Sequence, residues 1–543
     1  LGLLLVWATP VAVRSAAGPP PSPPAIPKTA SPPAAPEAFH RAGQTFLTWP
    51  EVPDQGRVTY RIYRQPTPPA EGVAEEALVA EVPQGSAIYW TERGRWLIAF
   101  DRDLYPGMDN YVITDLGPQL ADGTGLLVWT AHEPGEFYYH IVPVVNGRPD
   151  PGRAMTVGPV AETVDNPLPV LVWQTGDGRG RVYTQFMDYA TYNVTYDAPR
   201  PGNNWHGLGG LAASSPVAGQ LQQYAYNYSV GIPTDELCGG RVWDTLPLVL
   251  EMEGWGTRYG ITPSSPWFCA IHVFADDPSQ SWYFGFSATH DYRQAGRPVR
   301  TGPIVNYTEE RLLRTVFDVI RNPEFRVDPE RVYAYGHSMG GTGALMLAER
   351  YPNVFAAVFA SQPMTNFAVS ARWVAELEAK WGARSRNLPV EIRGPFAGHV
   401  WGYSGTGIWD WQNLALQLNQ RRRDEMAYIW ISHGTRDRTI DWATEGQPIY
   451  AHFYAGNRAF MGRIDDADHT PLGLPQVPMG GFATMGIRRS ESLPAFTNAS
   501  TGLPVPPPGP GGYNHTLEWS TWWFNFGPLP VDLPTQWAVF VRS

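Results

Sequence analysis

The chain contains one short segment whose residue types and spacing favour nucleophilic chemistry, Gly336-His337-Ser338-Met339-Gly340-Gly341. Before it, residues 331–335 are rich in β-branched and aromatic residues and predict a strand, and residues 342–351 after it contain strong helix formers and no proline. Glycines on both sides allow a sharp turn that exposes the serine hydroxyl at the start of the helix. The free backbone amides at that helix start can stabilise an oxyanion that develops on the substrate. We therefore predict Ser338 as a nucleophile; the alternative is a chance glycine-rich turn.

The residues around this turn resemble those of secreted bacterial esterases of the α/β-hydrolase superfamily. The segment from Val327 through the turn to Ala344 carries the resemblance, which extends more loosely over about residues 165–475. The segment is similar to the polyhydroxybutyrate depolymerase, feruloyl esterase and acetylxylan esterase groups. The resemblance implies a nucleophile, an acid and a base in that chain order. Short buried strands that alternate with helices here predict the α/β class, a mostly parallel sheet with helices on both faces.

The acid must follow the nucleophile, because a serine hydroxyl needs an imidazole to take its proton and a carboxylate to hold that imidazole in the right tautomer. Residues 428–431 predict a strand, and a His-Gly turn with Asp437 three residues beyond it follows. Such a loop is typical of the acid position in the superfamily. We predict Asp437 as the acid and keep Asp441 in reserve; the alternative is an ordinary loop aspartate.

The predicted base is His469. It lies 32 residues after Asp437, in the loop that follows a predicted final strand at 459–464, which leaves room for one helix at about 442–456. This is the position that the fold requires, although His515 in the later part of the chain is a rival. The neighbouring aspartates at 465, 466 and 468 indicate a solvated turn, or a calcium site too poorly specified to claim. Because the sequence has no His/Cys cluster with metal-ligand spacing, we predict no catalytic metal and no cofactor.

Two backbone amides are expected to stabilise the oxyanion. The first is the amide of Met339, directly after the nucleophile, and the second is the amide of Trp255 in a Glu-Gly-Trp-Gly turn after an earlier strand. That turn has glutamate where relatives usually have histidine. We predict that the substrate contacts the side chains of four residues, Trp255, His337, Trp409 and Trp442.

A long insertion, residues 363–425, separates two of the predicted central strands and contains five tryptophans. In the superfamily, insertions at this place act as caps that shape the acyl pocket. The tryptophans are therefore candidates for aromatic platforms under sugar rings or aromatic acyl groups. The equally weighted alternative is that they form core and inter-domain packing.

Composition and patterning predict five parts in the chain. Residues 1–17 resemble the apolar region and cleavage zone of a secretory signal peptide, and residues 18–37 form a Pro-rich linker. Residues 38–163 resemble a fibronectin type III β-sandwich, on the basis of an early tryptophan strand, a Tyr-Arg-Ile-Tyr-Arg strand and a late Tyr-rich strand. Residues 164–477 form the predicted catalytic domain, and residues 478–543 a small β-rich appendage.

The overall composition narrows the function classes. With 543 residues, 43% of them hydrophobic and 17% charged, the chain is long enough for two or three packed domains. Its net charge of −11 argues against nucleic acid and anionic membranes as partners. No segment approaches twenty apolar residues, so no membrane span is predicted. The two cysteines, Cys238 and Cys269, suit an exported protein with at most one disulfide, and we weigh their pairing slightly above two free thiols.

These observations together predict a secreted, monomeric serine ester hydrolase. A β-sandwich next to the catalytic domain favours a polymeric, cell-wall-type or polyester substrate. A serine peptidase of the prolyl-oligopeptidase type would use the same triad, and it is the first alternative. The second alternative is a non-catalytic adhesion or scaffold protein, which predicts no reaction of Ser338 with a fluorophosphonate.

Overall fold

The computed structural model describes most of the chain outside its two ends. The described residues are 26–53, 56–69, 73–88, 110–192, 194–196, 221–240, 243–255, 268–275, 277, 280–287, 289, 299–394, 403–421, 423–456, 458, 460–469 and 487–490. The predicted signal peptide, residues 18–25 of the Pro-rich linker, His515 and all but four residues of the predicted appendage lie outside them. So does Trp401 of the insertion.

The N-terminal part consists of two antiparallel sheets packed on each other. Burial alternates along parts of 135–145 and 155–162, as expected of strands with one face toward a core, whereas 44–49 and 124–129 are buried at every position. One sheet has the order β1-β2-β5, and the other has the order β4-β3-β6-β7, with β8 also paired to β6. The strands are β1 Glu37–Arg41, β2 Gln44–Pro50, β3 Val58–Gln65, β4 Leu78–Pro83, β5 Thr124–Thr130, β6 Gly135–Val145, β7 Arg148–Pro149 and β8 Met155–Glu162.

The central sheet has nine strands in the order β22-β21-β19-β18-β14-β15-β13-β10-β9. The six strands from β22 to β15 run parallel, and β13, β10 and β9 continue the sheet in antiparallel pairs. Its strands are β9 Val170–Gln174, β10 Gly180–Phe186, β13 Ala225–Gly231, β14 Leu246–Met252, β15 Ile271–Phe274, β18 Val327–His337, β19 Ala357–Ser361, β21 Tyr428–Gly434 and β22 Phe460–Asp465. Two small sheets complete the set, formed by β11 Val194–Tyr196 with β12 Leu221–Gln223, and by β16 Phe286–Ser287, β17 Ile304–Val305 and β20 Val390–Glu391.

All of the described α-helices except the short first one lie in connections between the parallel strands. The α-helices are α1 Tyr189–Tyr192, α2 Tyr307–Arg321, α3 Met339–Arg350, α4 Val374–Trp381, α5 Ile408–Trp411, α6 Leu414–Gln420 and α7 Pro448–Gly456. The apolar residues of α2 to α7 join one large core with one face of the parallel strands. The opposite face carries a second cluster, which includes Tyr333, Trp430 and Ile487. Within the described residues, the helices therefore cover one face, and helices on both faces stay a prediction.

Strand β18 begins earlier than the sequence suggested. The sequence predicted a strand from residue 331, but the strand already starts at Val327, and its register to β14 skips between Leu246 and Leu248. A proline cannot donate to a ladder, so the chain bulges around Pro329 and then resumes pairing. After the bulge, residues 332–337 of β18 pair regularly, and they lead directly into Ser338.

The N-terminal sheets share a hydrophobic core with the edge of the central sheet. Buried residues of β2, β3, β5 and β6 lie in the same cluster as those of β9, β10 and β13. Buried hydrogen bonds cross the boundary, from Gln44 Nε2 to Phe186 O at 2.9 Å and from Val128 N to the Tyr224 hydroxyl at 3.2 Å. The boundary predicted at residue 163 is therefore a change of architecture inside one continuous core. The family of the N-terminal part stays a prediction.

Cys238 and Cys269 form a disulfide with a sequence separation of 31. It ties the turn after β13 to the segment that enters β15. In the described part of the chain, no three or more His, Cys, Asp or Glu residues are grouped to hold a metal ion. A membrane-crossing helix is likewise not found among those residues.

Candidate active site

The predicted nucleophile lies in a strained turn between β18 and α3. Ser338 has φ 59° and ψ −119°, a conformation that L-residues rarely adopt. Gly336 and Gly340 make this turn feasible, because a β-carbon on Gly336 would collide with the Gly340 backbone. Helix α3 begins at Met339, so its first amides have no acceptor within the helix and point toward the serine.

The structure brings the three predicted triad residues into one hydrogen-bonded series. His469 Nε2 lies 2.8 Å from Ser338 Oγ, and His469 Nδ1 lies 2.7 Å from Asp437 Oδ2. Asp437 is buried and Ser338 is 6% exposed, while the imidazole is partly open to solvent. These distances permit Nε2 to take the serine proton while Nδ1–H donates to the carboxylate.

The carboxylate of Asp437 is oriented by its own loop. Its Oδ1 accepts the amides of Thr439 at 2.8 Å and Ile440 at 3.0 Å, which leaves Oδ2 for the imidazole. The reserve candidate Asp441 instead caps the following turn, where it accepts the amide of Thr444 at 3.0 Å, and it is exposed. The structure therefore does not bring Asp441 into the hydrogen-bonded series.

The loop that carries the base is held by Gln362. This residue directly follows β19, and its Nε2 donates to Asp468 O at 2.7 Å, next to His469. Our sequence reasoning missed Gln362. Its position after a central strand was the available signal, because the carboxyl ends of parallel strands meet at one edge of the sheet.

The predicted oxyanion loop, Glu253-Gly254-Trp255, packs directly on the start of α3. A β-carbon on Gly340 would collide with the carbonyl groups of Met252 and Glu253, so only glycine permits this approach. The loop backbone and the amide of Met339 thus flank the same turn. This proximity is what a two-donor oxyanion site requires.

The four side chains predicted to contact substrate have different environments. Trp255 is 41% exposed, in the loop whose Glu253 carbonyl packs on Gly340 of α3. His337 is half-buried, with its ring centroid 4.9 Å from that of His469. Trp442 is half-buried against His433, with ring centroids 5.7 Å apart. Trp409 is 3% exposed and its Nε1 donates to Gly382 O, so this residue belongs to the core of the insertion.

Most tryptophans of the insertion are core residues, as Trp409 is. Trp373, Trp381, Trp409 and Trp411 are all buried. The rings of three of them belong to an aromatic chain that starts at the exposed Trp255, with successive centroids 5.1–5.5 Å apart, through Trp373, Trp282, Phe367, Trp381 and Trp409. Core packing therefore explains these four residues, and the chain of rings supports the exposed Trp255.

Two histidines next to the triad are neutral at physiological pH. Burial, with a smaller effect of the neighbouring His469, lowers the pKa of His337 to about 4. Burial also lowers the pKa of His433 to about 4. The ring of His433 is 3.0 Å from the Tyr450 hydroxyl through Nδ1 and 3.2 Å from Pro363 O through Nε2. A neutral ring protonated on Nε2 satisfies both partners, because the tyrosine can then donate to Nδ1.

Replacing His433 by glutamine should flatten the dependence of stability on acid pH. The unfolded histidine titrates near pH 6.5 and the folded one near 4, so stability is lost as the pH falls between these values. One such group contributes about 1.4 kcal/mol per pH unit. Urea unfolding at pH 7, 6 and 5 measures the slope, and His132→Gln, a half-exposed histidine, is the control. An unchanged slope in His433→Gln would contradict the assignment.

A comparison with known protein families matches part of this chain. Residues 270–470, less than half of the chain, match the model of the Esterase family. The matched region contains Ser338, Asp437 and His469. It supports the α/β-hydrolase esterase fold predicted for the catalytic part.

A curated relative and two solved structures were also found. S-formylglutathione hydrolase of Rattus norvegicus is 36% identical over 87 residues, which are 16% of this chain and 29% of the relative. The matched segment thus spans less than a third of that enzyme. A solved S-formylglutathione hydrolase from Agrobacterium tumefaciens aligns with a TM-score of 0.34 and 12% identity, over 55% of this chain and 92% of that one. A solved ferulic acid esterase aligns with a TM-score of 0.30 and 14% identity, over 54% and 92%.

Proposed function

We propose that this protein is a serine carboxylic ester hydrolase that works through an acyl-enzyme intermediate. The observation that carries the proposal is the hydrogen-bonded series from Ser338 Oγ through His469 to Asp437, with distances of 2.8 and 2.7 Å. The match of residues 270–470 to the Esterase family and the curated relatives supports the same activity.

The proposed reaction has two stages. Ser338 Oγ attacks the acyl carbon while His469 Nε2 takes its proton, and the carboxylate of Asp437 stabilises the resulting imidazolium. The tetrahedral oxyanion is held by backbone amides at Met339 and at the Trp255 loop. His469 then gives the proton to the departing alcohol. A water molecule, activated by the same imidazole, attacks the acyl-enzyme and releases the acid.

The proposed substrate is an ester whose acyl or alcohol group is bulky or polymeric, and we propose that the protein hydrolyses it outside the cytoplasm. The exposed ring of Trp255, in the loop that packs on the start of α3, offers a flat apolar surface of the kind that binds aromatic acyl groups and sugar rings. The Cys238–Cys269 disulfide supports an oxidising compartment. The proposed form is a monomer that needs no cofactor.

A thioester is a second candidate substrate, because the curated relatives are named S-formylglutathione hydrolases. An acyl thioester reacts with the same serine by the same steps, with a thiol as the leaving group. A peptide is the third candidate, since the same triad cleaves amides in peptidases.

Purified protein should be assayed against five substrates. These are p-nitrophenyl esters of rising chain length, methyl ferulate, a polyester film, S-formylglutathione and a peptide anilide. We expect the oxygen esters to be turned over with the highest kcat/KM, and methyl ferulate to exceed aliphatic esters of equal reactivity. A dominant activity on the thioester or the anilide would move the proposal to that class. Absence of turnover on all five, with an unreactive Ser338, would favour the non-catalytic alternative.

A further inference from the structure

A second strained segment lies beneath the candidate oxyanion loop. Three non-glycine residues close together have left-handed backbones, Gln280 with φ 47°, Trp282 with φ 57° and Tyr283 with φ 64°. Each such residue is costly, and it persists only where its surroundings hold it. A tight connection between β15 and β16 does not by itself require three left-handed residues. The strain indicates that the position of these side chains matters.

Buried hydrogen bonds hold the segment in this shape. The carboxylate of Asp277, which is 1% exposed, accepts the amide of Tyr283 at 2.9 Å and the hydroxyl of Ser281 at 3.1 Å. The ammonium group of Lys380 donates to Gln280 O at 2.6 Å. The carbonyl of Phe284 accepts two amides at the start of α2, at 3.1 and 3.2 Å. The turn is thus anchored at both ends by groups that are withdrawn from water.

Tyr283 contacts both halves of the candidate oxyanion site. Its hydroxyl donates to Glu253 O at 3.0 Å, in the loop that carries Trp255. Its ring lies against Gly343 of α3, where a β-carbon would come within 2.8 Å of the ring. Gly343 is one turn after Met339. One side chain therefore spans the gap between the loop and the helix that supply the two proposed donors.

We propose that Tyr283 is a positioning residue that sets the separation of the two oxyanion donors. This inference rests on the proposed function. The hydrogen bond to Glu253 O orients the peptide chain of the loop, and the ring keeps the loop at a constant distance from α3. The buried hydrogen bonds that hold this strained backbone keep the tyrosine in place when charge develops on the substrate oxygen.

The same segment also holds the side chain of Trp255. Lys380, one of only two lysines in the chain, donates to Glu376 at 2.8 Å as well as to Gln280 O. Glu376 in turn accepts the indole N–H of Trp255 at 3.1 Å. The backbone of the loop and its one exposed ring are thus both linked to the strained segment. A loop with these two links is preorganised before substrate binds.

The test is Tyr283→Phe, which removes only the hydroxyl, with Tyr333→Phe as a matched control. The Tyr333 hydroxyl also donates to a backbone carbonyl, that of Ile487 at 2.8 Å, but it lies on the face of the sheet away from the helices. We expect kcat of Tyr283→Phe to fall about 10- to 30-fold with KM within about twofold, and the rate of fluorophosphonate labelling to fall in parallel. Tyr333→Phe should lose thermal stability to a similar degree but keep both rates.

The outcomes separate this inference from the proposed function. If the wild type is not labelled at all, the proposed function fails. If the wild type is labelled and Tyr283→Phe matches Tyr333→Phe in every rate, the tyrosine is structural only and the inference is overturned. Should Tyr283→Phe not fold, Ser281→Ala removes one anchor of the segment. It should also lower kcat without a change in KM, by a smaller factor of about threefold; an unchanged kcat there would also overturn the inference.

Discussion

Replacing Ser338 by alanine is expected to reduce kcat/KM for an activated ester by at least about 10⁴-fold. The side chain loses the only atom that can form the acyl bond, while the turn keeps its backbone hydrogen bond from Ser338 N to Ser361 O at 2.8 Å. The folded structure should therefore survive. Steady-state hydrolysis of a p-nitrophenyl ester measures the loss, and a fluorophosphonate probe should fail to label the variant.

Ser432→Ala is a suitable control for this experiment. Ser432 is a buried serine in β21, near the carboxyl end of a parallel strand, and its hydroxyl has no hydrogen-bond partner among the described residues. Its removal should leave activity within about twofold and stability unchanged or slightly raised. If Ser338→Ala retained wild-type turnover, or if the probe labelled another residue, the assignment of the nucleophile would be wrong.

Asp437→Asn should lower kcat by about 10³- to 10⁴-fold with little change in folding. The amides of Thr439 and Ile440 donate to Oδ1 of the aspartate. In the variant, the carbonyl oxygen of asparagine takes that place, and its NH₂ group faces His469. The imidazole must then accept through Nδ1 and carry its proton on Nε2. It can no longer take the proton of Ser338.

Asp441→Asn is the matched control, because Asp441 lies in the same loop and was the alternative acid. Its carboxylate caps the turn at Thr444 and is exposed, so kcat should stay within about twofold. Stopped-flow or steady-state hydrolysis of both variants, with circular dichroism as a check of folding, decides between the residues. A larger loss in Asp441→Asn than in Asp437→Asn would reverse the assignment.

The residues that form the hydrogen-bonded series could be predicted from the sequence because each lies just after a central strand. Strand, glycine turn and helix surround Ser338, and β21 and β22 precede Asp437 and His469 in the same way. Parallel strands deliver such loops to one edge of the sheet, so order along the chain was enough to nominate neighbours in space. The disulfide was a weaker prediction, since no spacing requires two cysteines to meet.

The aromatic residues were harder to predict. A tryptophan in an insertion can be core or platform, and its type and spacing do not distinguish the two. Trp409 was expected to contact substrate and lies in the core, whereas Trp255 is exposed. Burial depends on which other elements cover a side chain, and those elements are distant in sequence.

The sequence by itself determined the predicted nucleophile, acid and base and the α/β class, because local turn chemistry and strand order carry that information. Tertiary structure alone decided how the loop around Trp255 is held. Tyr283 contacts Glu253, which is 30 residues away in the sequence. Its left-handed backbone could not be predicted from the residue types in that segment. Contacts of that kind follow from the packing of whole elements, which local sequence patterns do not encode.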